Sequence, residues 1–238
     1  MKIAFCFYGI LYGLGGRTGS SRDFNHCWPN IKRMLIEPFT LQGHQINIYF
    51  SSYPIENQEN KKTFGEIVES KNVVYSEFEN SDPFTAKYAS FNILENINDD
   101  IIILTRSDVH WSKIIASQNI NFDKFNFLFP EKDWWNTPYK FTCDNFYIWP
   151  KRMTKNVKKA MIETYGFPRG KPLVDTHALM FNLKKYISEE EIHIISDVEE
   201  LSDVNSFYTC CRSGLPKRNC MNKEVEERYE KENWRYYT

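Results

Sequence analysis

DDIIILTRSDVHW, residues 99–111, sets an apolar run, Ile101 to Leu104, directly against three ionisable side chains, Arg106, Asp108 and His110. A short continuous apolar run reads as a strand buried on both faces, the kind a parallel sheet uses. In open α/β sheets ligands gather beyond the carboxyl ends of the parallel strands, so charges at such an end are placed for a ligand rather than for the core. If the segment stays extended, alternate side chains share a face, and Arg106, Asp108 and His110 are expected to point the same way. A carboxylate and an imidazole so spaced can share one hard cation, Mg²⁺ or Mn²⁺, with water and phosphate oxygens completing its shell. The plainer alternative is a surface Arg–Asp pair beside an unrelated histidine.

Working outward, KIAFCFY (2–8) predicts a buried strand. A glycine-rich loop over 9–19 and a helix through Ile31, Met34 and Leu35 that stops before Pro38 follow it. QINIYF (45–50) and VVYSEF (73–78) predict two more strands. Asp82-Pro83 is expected to open a helix whose apolar positions, Phe84, Tyr88, Phe91, Leu94 and Ile97, recur at helical spacing. Strands alternating with helices predict an α/β fold with a mixed, mostly parallel sheet flanked by helices. Past His110 the pattern loosens into NFLFP (126–130), the aromatic EKDWWNTPYKF, CDNFYIWP (143–150), and helices over about 152–165 and 175–187. Residues 217–238 are charged and read as a solvated helix or tail.

The 238 residues, 42% of them hydrophobic, suffice for one sizeable domain, expected over 1–238 in three parts, 1–112, 113–216 and the charged end 217–238. Thirty basic residues against 31 acidic ones give no basic footprint, which argues against a nucleic-acid partner. MKIAFCFYG is too short in its apolar run for a signal peptide, and no stretch approaches a membrane span; a cytoplasmic protein with no transmembrane segment is expected. Cys6, Cys27, Cys143, Cys210, Cys211 and Cys220 form no CxxC pair and read as thiols in a reducing compartment. A zinc site from His26, Cys27 and the Cys210–Cys220 group is the lesser alternative.

TRSDVH resembles the metal-binding Asp-x-Asp region of GT-A-fold glycosyltransferases. It matches the Arg-x-Asp form found in small polysaccharide glycosyltransferases of bacteria and large algal viruses. The supporting segments are FYGILYGLGGR, PFTAKYASFNILENI and DDIIILTRSDVH, in that order, with CDNFYIWP and DTHALMF matching more loosely. Two departures stand out: His110 replaces the second Asp, and the first Arg arrives late. The resemblance implies a GT-A-like fold and a hexosyl- or pentosyltransferase that takes a nucleoside-diphosphate sugar, such as a UDP-sugar, and builds a glycan on an acceptor. It implies Mn²⁺ or Mg²⁺ at Asp108 and His110, with His177 as a further ligand, and Arg106 and Asp108 against the donor. Phe7, Tyr8 and Gly9 then lie near the base, Arg17 or Arg22 reaches the diphosphate, and Lys87 borders phosphate or ribose, the alternative for Lys87 being a solvated side chain.

Inverting transfer needs a carboxylate to take the acceptor's proton. Asp144 is the first choice and Asp175 the reserve, Asp175 also being a natural helix cap. Trp134, Trp135 and Trp149 could stack on an acceptor sugar, or be core. GLGGRTG (13–19) can be forced into a dinucleotide fingerprint, but its glycines begin well after the strand, and no acidic residue follows strand two. The second class of function is a catalytically silent protein that binds a nucleotide sugar or glycan.

Overall fold

The computed structural model describes residues 1–15, 20–67, 73–77, 83–130, 142–165, 179–196 and 207–210. In chain order these form β1 (Lys2–Gly9), β2 (Tyr12–Gly15), β3 (Ser20–Asp23), α1 (Phe24–Ile31), α2 (Glu37–Leu41), β4 (Gln45–Ser52), α3 (Gln58–Ile67), β5 (Val73–Glu77), α4 (Pro83–Leu94), β6 (Ile101–Arg106), β7 (Val109–Trp111), β8 (Phe125–Phe127), β9 (Phe146–Pro150), α5 (Thr154–Tyr165), α6 (Leu179–Leu183), β10 (Ile192–Ile194) and β11 (Tyr208–Cys210). Seven strands make one sheet in the order β10-β8-β9-β6-β1-β4-β5. β9 alone runs against the rest, antiparallel to β6 and β8, so the expected mixed and mostly parallel sheet is what the chain builds.

β1 lies between β4 and β6, and six of its eight residues are buried. Alternation divides them: Ile3, Phe5 and Phe7 enter one core layer with α1, α2 and α3, while Ala4, Cys6 and Tyr8 enter the other with α4, α5 and α6. Small residues at 4 and 6 leave room on the second face. There Asp99, buried just before β6, accepts hydrogen bonds from Asn47 and, at 2.9 Å, from the Tyr49 hydroxyl of β4. Asp100 accepts from the Lys2 amide at 2.8 Å. The acidic pair that opens the quoted segment therefore fastens the amino-terminal edge of the sheet.

Several sequence expectations are corrected. The loop expected over 9–19 is, in its described part, a two-stranded antiparallel ribbon of β2 and β3 with Gly13 paired to Arg22. A ribbon stands where a dinucleotide fold needs a strand-to-helix turn, which removes that fingerprint reading. The first helix runs on through Pro38 to Leu41 instead of stopping before it, because residues Lys32–Ile36 widen into a π turn. The Glu37 amide bonds back five residues to Lys32; the wider turn accommodates a proline that has no N–H and whose ring would press on the previous turn. Trp149, considered as a sugar platform, is fully buried between Phe91 and Phe125, with ring centroids at 6.3 and 5.8 Å. Cys6, Cys27 and Cys143 are buried thiols. Arg17, Trp134, Trp135, Asp175, His177, Cys211, Cys220 and the 217–238 segment lie outside the described residues. Among those described, no helix is long and apolar enough to cross a membrane.

Candidate active site at the carboxyl edge of the sheet

β1 and β6 run parallel and in register, Tyr8 beside Arg106, so their carboxyl ends open on the same edge. The chain after β6 does not stay extended. Ser107 and Asp108 form a turn, and β7 then leaves the main sheet to pair antiparallel with β11. The turn is fixed from far away in sequence: the Ser107 amide donates to the Tyr8 carbonyl at 3.1 Å, and its hydroxyl donates to the Ile10 carbonyl at 3.3 Å. Gly9, at φ +114°, makes the bend that brings these carbonyls round, in a region that side chains disfavour.

The expectation that Arg106, Asp108 and His110 share one face of a single strand is therefore corrected. The turn does bring Arg106 and Asp108 together, as a two-point ion pair with Nε–Oδ1 at 2.7 Å and Nη2–Oδ2 at 2.6 Å. Such forked, charge-assisted pairs are among the stronger protein hydrogen bonds. The plainer alternative foresaw this pairing on an open surface, but Asp108 is only 8% exposed. His110 lies past the turn, buried, in register with Thr209 of β11. Burial, with the Arg33 guanidinium as a lesser influence, pushes its pKa down to about 4, so the imidazole is neutral at pH 7.

β9 enters the sheet backwards, and its beginning therefore meets the end of β6: the Thr105 hydroxyl donates to the Asn145 carbonyl at 2.9 Å. Asp144 precedes it by one residue. Lys87, on α4, is 4% exposed, which overturns the reading of a solvated lysine. Its Nζ donates to the Asp144 carbonyl, stands 3.7 Å from Asp144 Oδ2 and 3.5 Å from the Tyr147 hydroxyl, and faces the Tyr8 and Tyr147 rings at 5.6 and 5.3 Å. The Tyr8 hydroxyl donates to the same Asp144 carbonyl at 3.4 Å. Ser107 and Tyr147 thus hold the edge together, and neither was singled out from the sequence. A serine after a strand and a tyrosine within one are too common to signal such a role.

Phe7 is wholly buried, stacked on Phe50 at 5.2 Å and set edge-on to Trp28, so it supports the edge from beneath. Arg22 is placed by its backbone on β3. For a divalent cation, the described donors are Asp108 and neutral His110. They suit a hard ion in kind, since Mg²⁺ held by one or two protein groups takes its other ligands from water and phosphate. Among the described residues no group of three or more His, Cys, Asp or Glu side chains is gathered. The zinc alternative therefore has no three-ligand cluster around Cys27 there.

No protein-family model matches the chain, and no curated protein matches it in sequence. Among solved structures, it is similar to the galactosyltransferase LgtC in complex with donor and acceptor sugar analogs, at 10% identity, over 82% of this chain and 73% of that one, with a TM-score of 0.49.

Proposed function

We propose that the chain is a GT-A-like glycosyltransferase that moves a hexose or pentose from a nucleoside-diphosphate sugar to a glycan acceptor. The observation that carries this reading is the forked Arg106–Asp108 pair just past the carboxyl end of β6, at the edge where β1, β6 and the start of β9 meet. Parallel strand ends are where open α/β sheets take ligands, and the likeness of TRSDVH to the Arg-x-Asp form supplies the chemistry. In this reading Asp108, with His110 and His177, would hold Mn²⁺ or Mg²⁺, and the ion would supply positive charge against the departing diphosphate. Arg106 is suited to a phosphate oxygen, since a guanidinium forks onto phosphate as it does onto carboxylate. Gly9 and Tyr8 border the nucleotide, with Arg17 or Arg22 reaching toward it.

Asp144, across the edge from β1, takes the acceptor's proton, with Asp175 in reserve. Residues 1–112 form the donor side and 113–216 the acceptor side. The proposed place of work is the cytoplasm; among the described residues no helix is long and apolar enough to cross a membrane.

Thermal denaturation across UDP-, GDP- and TDP-sugars, with and without Mn²⁺, tests the reading. A ligand at about 100 times its Kd adds about 2.7 kcal/mol of stability, a rise of roughly 5–10 °C for a chain of this size. Asp108→Asn is expected to remove the Mn²⁺-dependent part of that rise, and His110→Ala to remove less, because a neutral imidazole brings no charge to a hard cation. Silence from every donor would sink the proposal. A larger loss at His110 would reverse the ligand ranking and point to a softer metal.

A further inference from the structure

We infer that Lys87 is a positioning residue that ties Asp144 to β1 and α4, and that it does not contact the donor's phosphates; the inference rests on the glycosyl-transfer reading above. A lysine ammonium has three N–H donors. Lys87 donates to the Asp144 carbonyl and the Tyr147 hydroxyl and is ion-paired with the Asp144 carboxylate at 3.7 Å, while the Tyr8 and Tyr147 rings flank it. With Lys87 only 4% exposed, a diphosphate would have to displace its neighbours to reach the ammonium. A cation held between ring faces and a carboxylate is strongly localised, since both attractions strengthen away from water.

The tether spans three elements. Tyr8 is the next-to-last residue of β1, Lys87 lies in the first half of α4, and Asp144 stands two residues before β9. The Tyr8 hydroxyl and the Lys87 ammonium meet at one carbonyl, that of Asp144. The height of Asp144 above the sheet edge is thereby set by β1, the donor-side strand. Lys87 acts through Asp144, by holding both the main chain and the side chain of the proposed base.

Lys87→Met keeps the length of the side chain and removes the charge. Hydrogen exchange is expected to speed up by roughly tenfold or more over residues 142–146 while β6 keeps its wild-type protection, because the Asp144 carbonyl loses its charged donor and keeps only the longer bond from Tyr8. Titration with UDP, GDP and TDP in Mn²⁺ is expected to give affinities within about twofold of wild type. Turnover of the responding donor falls by roughly tenfold or more with its KM unchanged, the pattern of a lost transition-state arrangement.

Unchanged exchange over 142–146 would overturn the inference. So would a diphosphate affinity weakened by roughly tenfold at unchanged exchange, which is the mark of a phosphate ligand. If Lys87→Met does not fold, the double variant Lys87→Met/Asp144→Asn removes both charges and is expected to regain the fold while keeping the fast exchange. A double variant no more stable than the single one would overturn the pairing. If no nucleoside diphosphate binds the wild type, the transferase reading fails, and the exchange measurement alone decides the tether.

Discussion

Asp144 carries the sharpest prediction, because it is asked both to hold Lys87 and to act on an acceptor. Asparagine keeps its shape and its backbone carbonyl, to which Lys87 and Tyr8 both donate, so the loop should stay in place when the carboxylate is lost. Asp144→Asn is expected to leave donor affinity close to wild type, to lower thermal stability because the buried Lys87 ammonium loses its counter-charge, and to cut transfer by roughly 10²- to 10⁴-fold, the usual contribution of a general base. A joint fall in stability and donor affinity would instead make Asp144 structural and turn attention to Asp175. His110 gives a pH prediction. Its folded-state pKa, about 4, lies below its ordinary 6.5, so the unfolded chain takes up the proton first as pH falls. Its share of stability is complete above about 6.5 and drains away toward pH 4, by roughly 3 kcal/mol in all. Urea midpoints between pH 4 and 7 in chelator-treated buffer should therefore drop less for His110→Gln than for wild type; equal drops would remove His110 as the cause. That Arg106 and Asp108 stand at the end of a buried strand was legible in the sequence, because charges closing an apolar run are conspicuous. Their orientation was not, since the turn at Ser107 depends on carbonyls of Tyr8 and Ile10, almost a hundred positions away.

Among the elements, β7 and α1 are joined by one side chain. The register of β7 with β11, with the Ser112 amide bonded to the Phe207 carbonyl, turns the backbone groups of Trp111 away from β11. Asn30 of α1 meets both, donating to the Trp111 carbonyl at 2.9 Å and accepting from its amide at 2.6 Å. Asn30→Ala should cost roughly 2–4 kcal/mol, the usual penalty for stripping two buried backbone partners, and urea denaturation reads it directly. A loss below about 1 kcal/mol would show that other groups take over both bonds. Strands β1, β4, β5, β6 and β9 and helices α4 and α5 were legible as elements because their apolar periodicity is strong. The β2–β3 ribbon, the short strands β7, β10 and β11 and the helix α3 were not. Three or four residues carry too little pattern, α3 buries only Phe64 among its described positions, and a glycine-rich ribbon looks like a loop until its partner strand is known.

At the scale of the whole molecule, the order of the strands across the sheet differs from their order along the chain. β1 is made first and lies near the middle, paired on one side to β4 and on the other to β6. Its two neighbours therefore become available at very different times during synthesis: Ser52 completes β4, and Arg106 completes β6. Until then one flank of a strand with six buried residues has nothing to pair with. Such distant pairings slow folding and leave an adhesive edge exposed while it proceeds. Successive amides of a central strand bond to opposite neighbours, so β1 records its own history residue by residue. Pulsed hydrogen exchange during refolding should find alternate amides of residues 3–7 protected in two separate phases, the earlier set belonging to the β4 side. A single phase would mean that the strand waits, unpaired on both flanks, until β4 and β6 close on it together, and both of its edges would then stay adhesive throughout the slow step of folding.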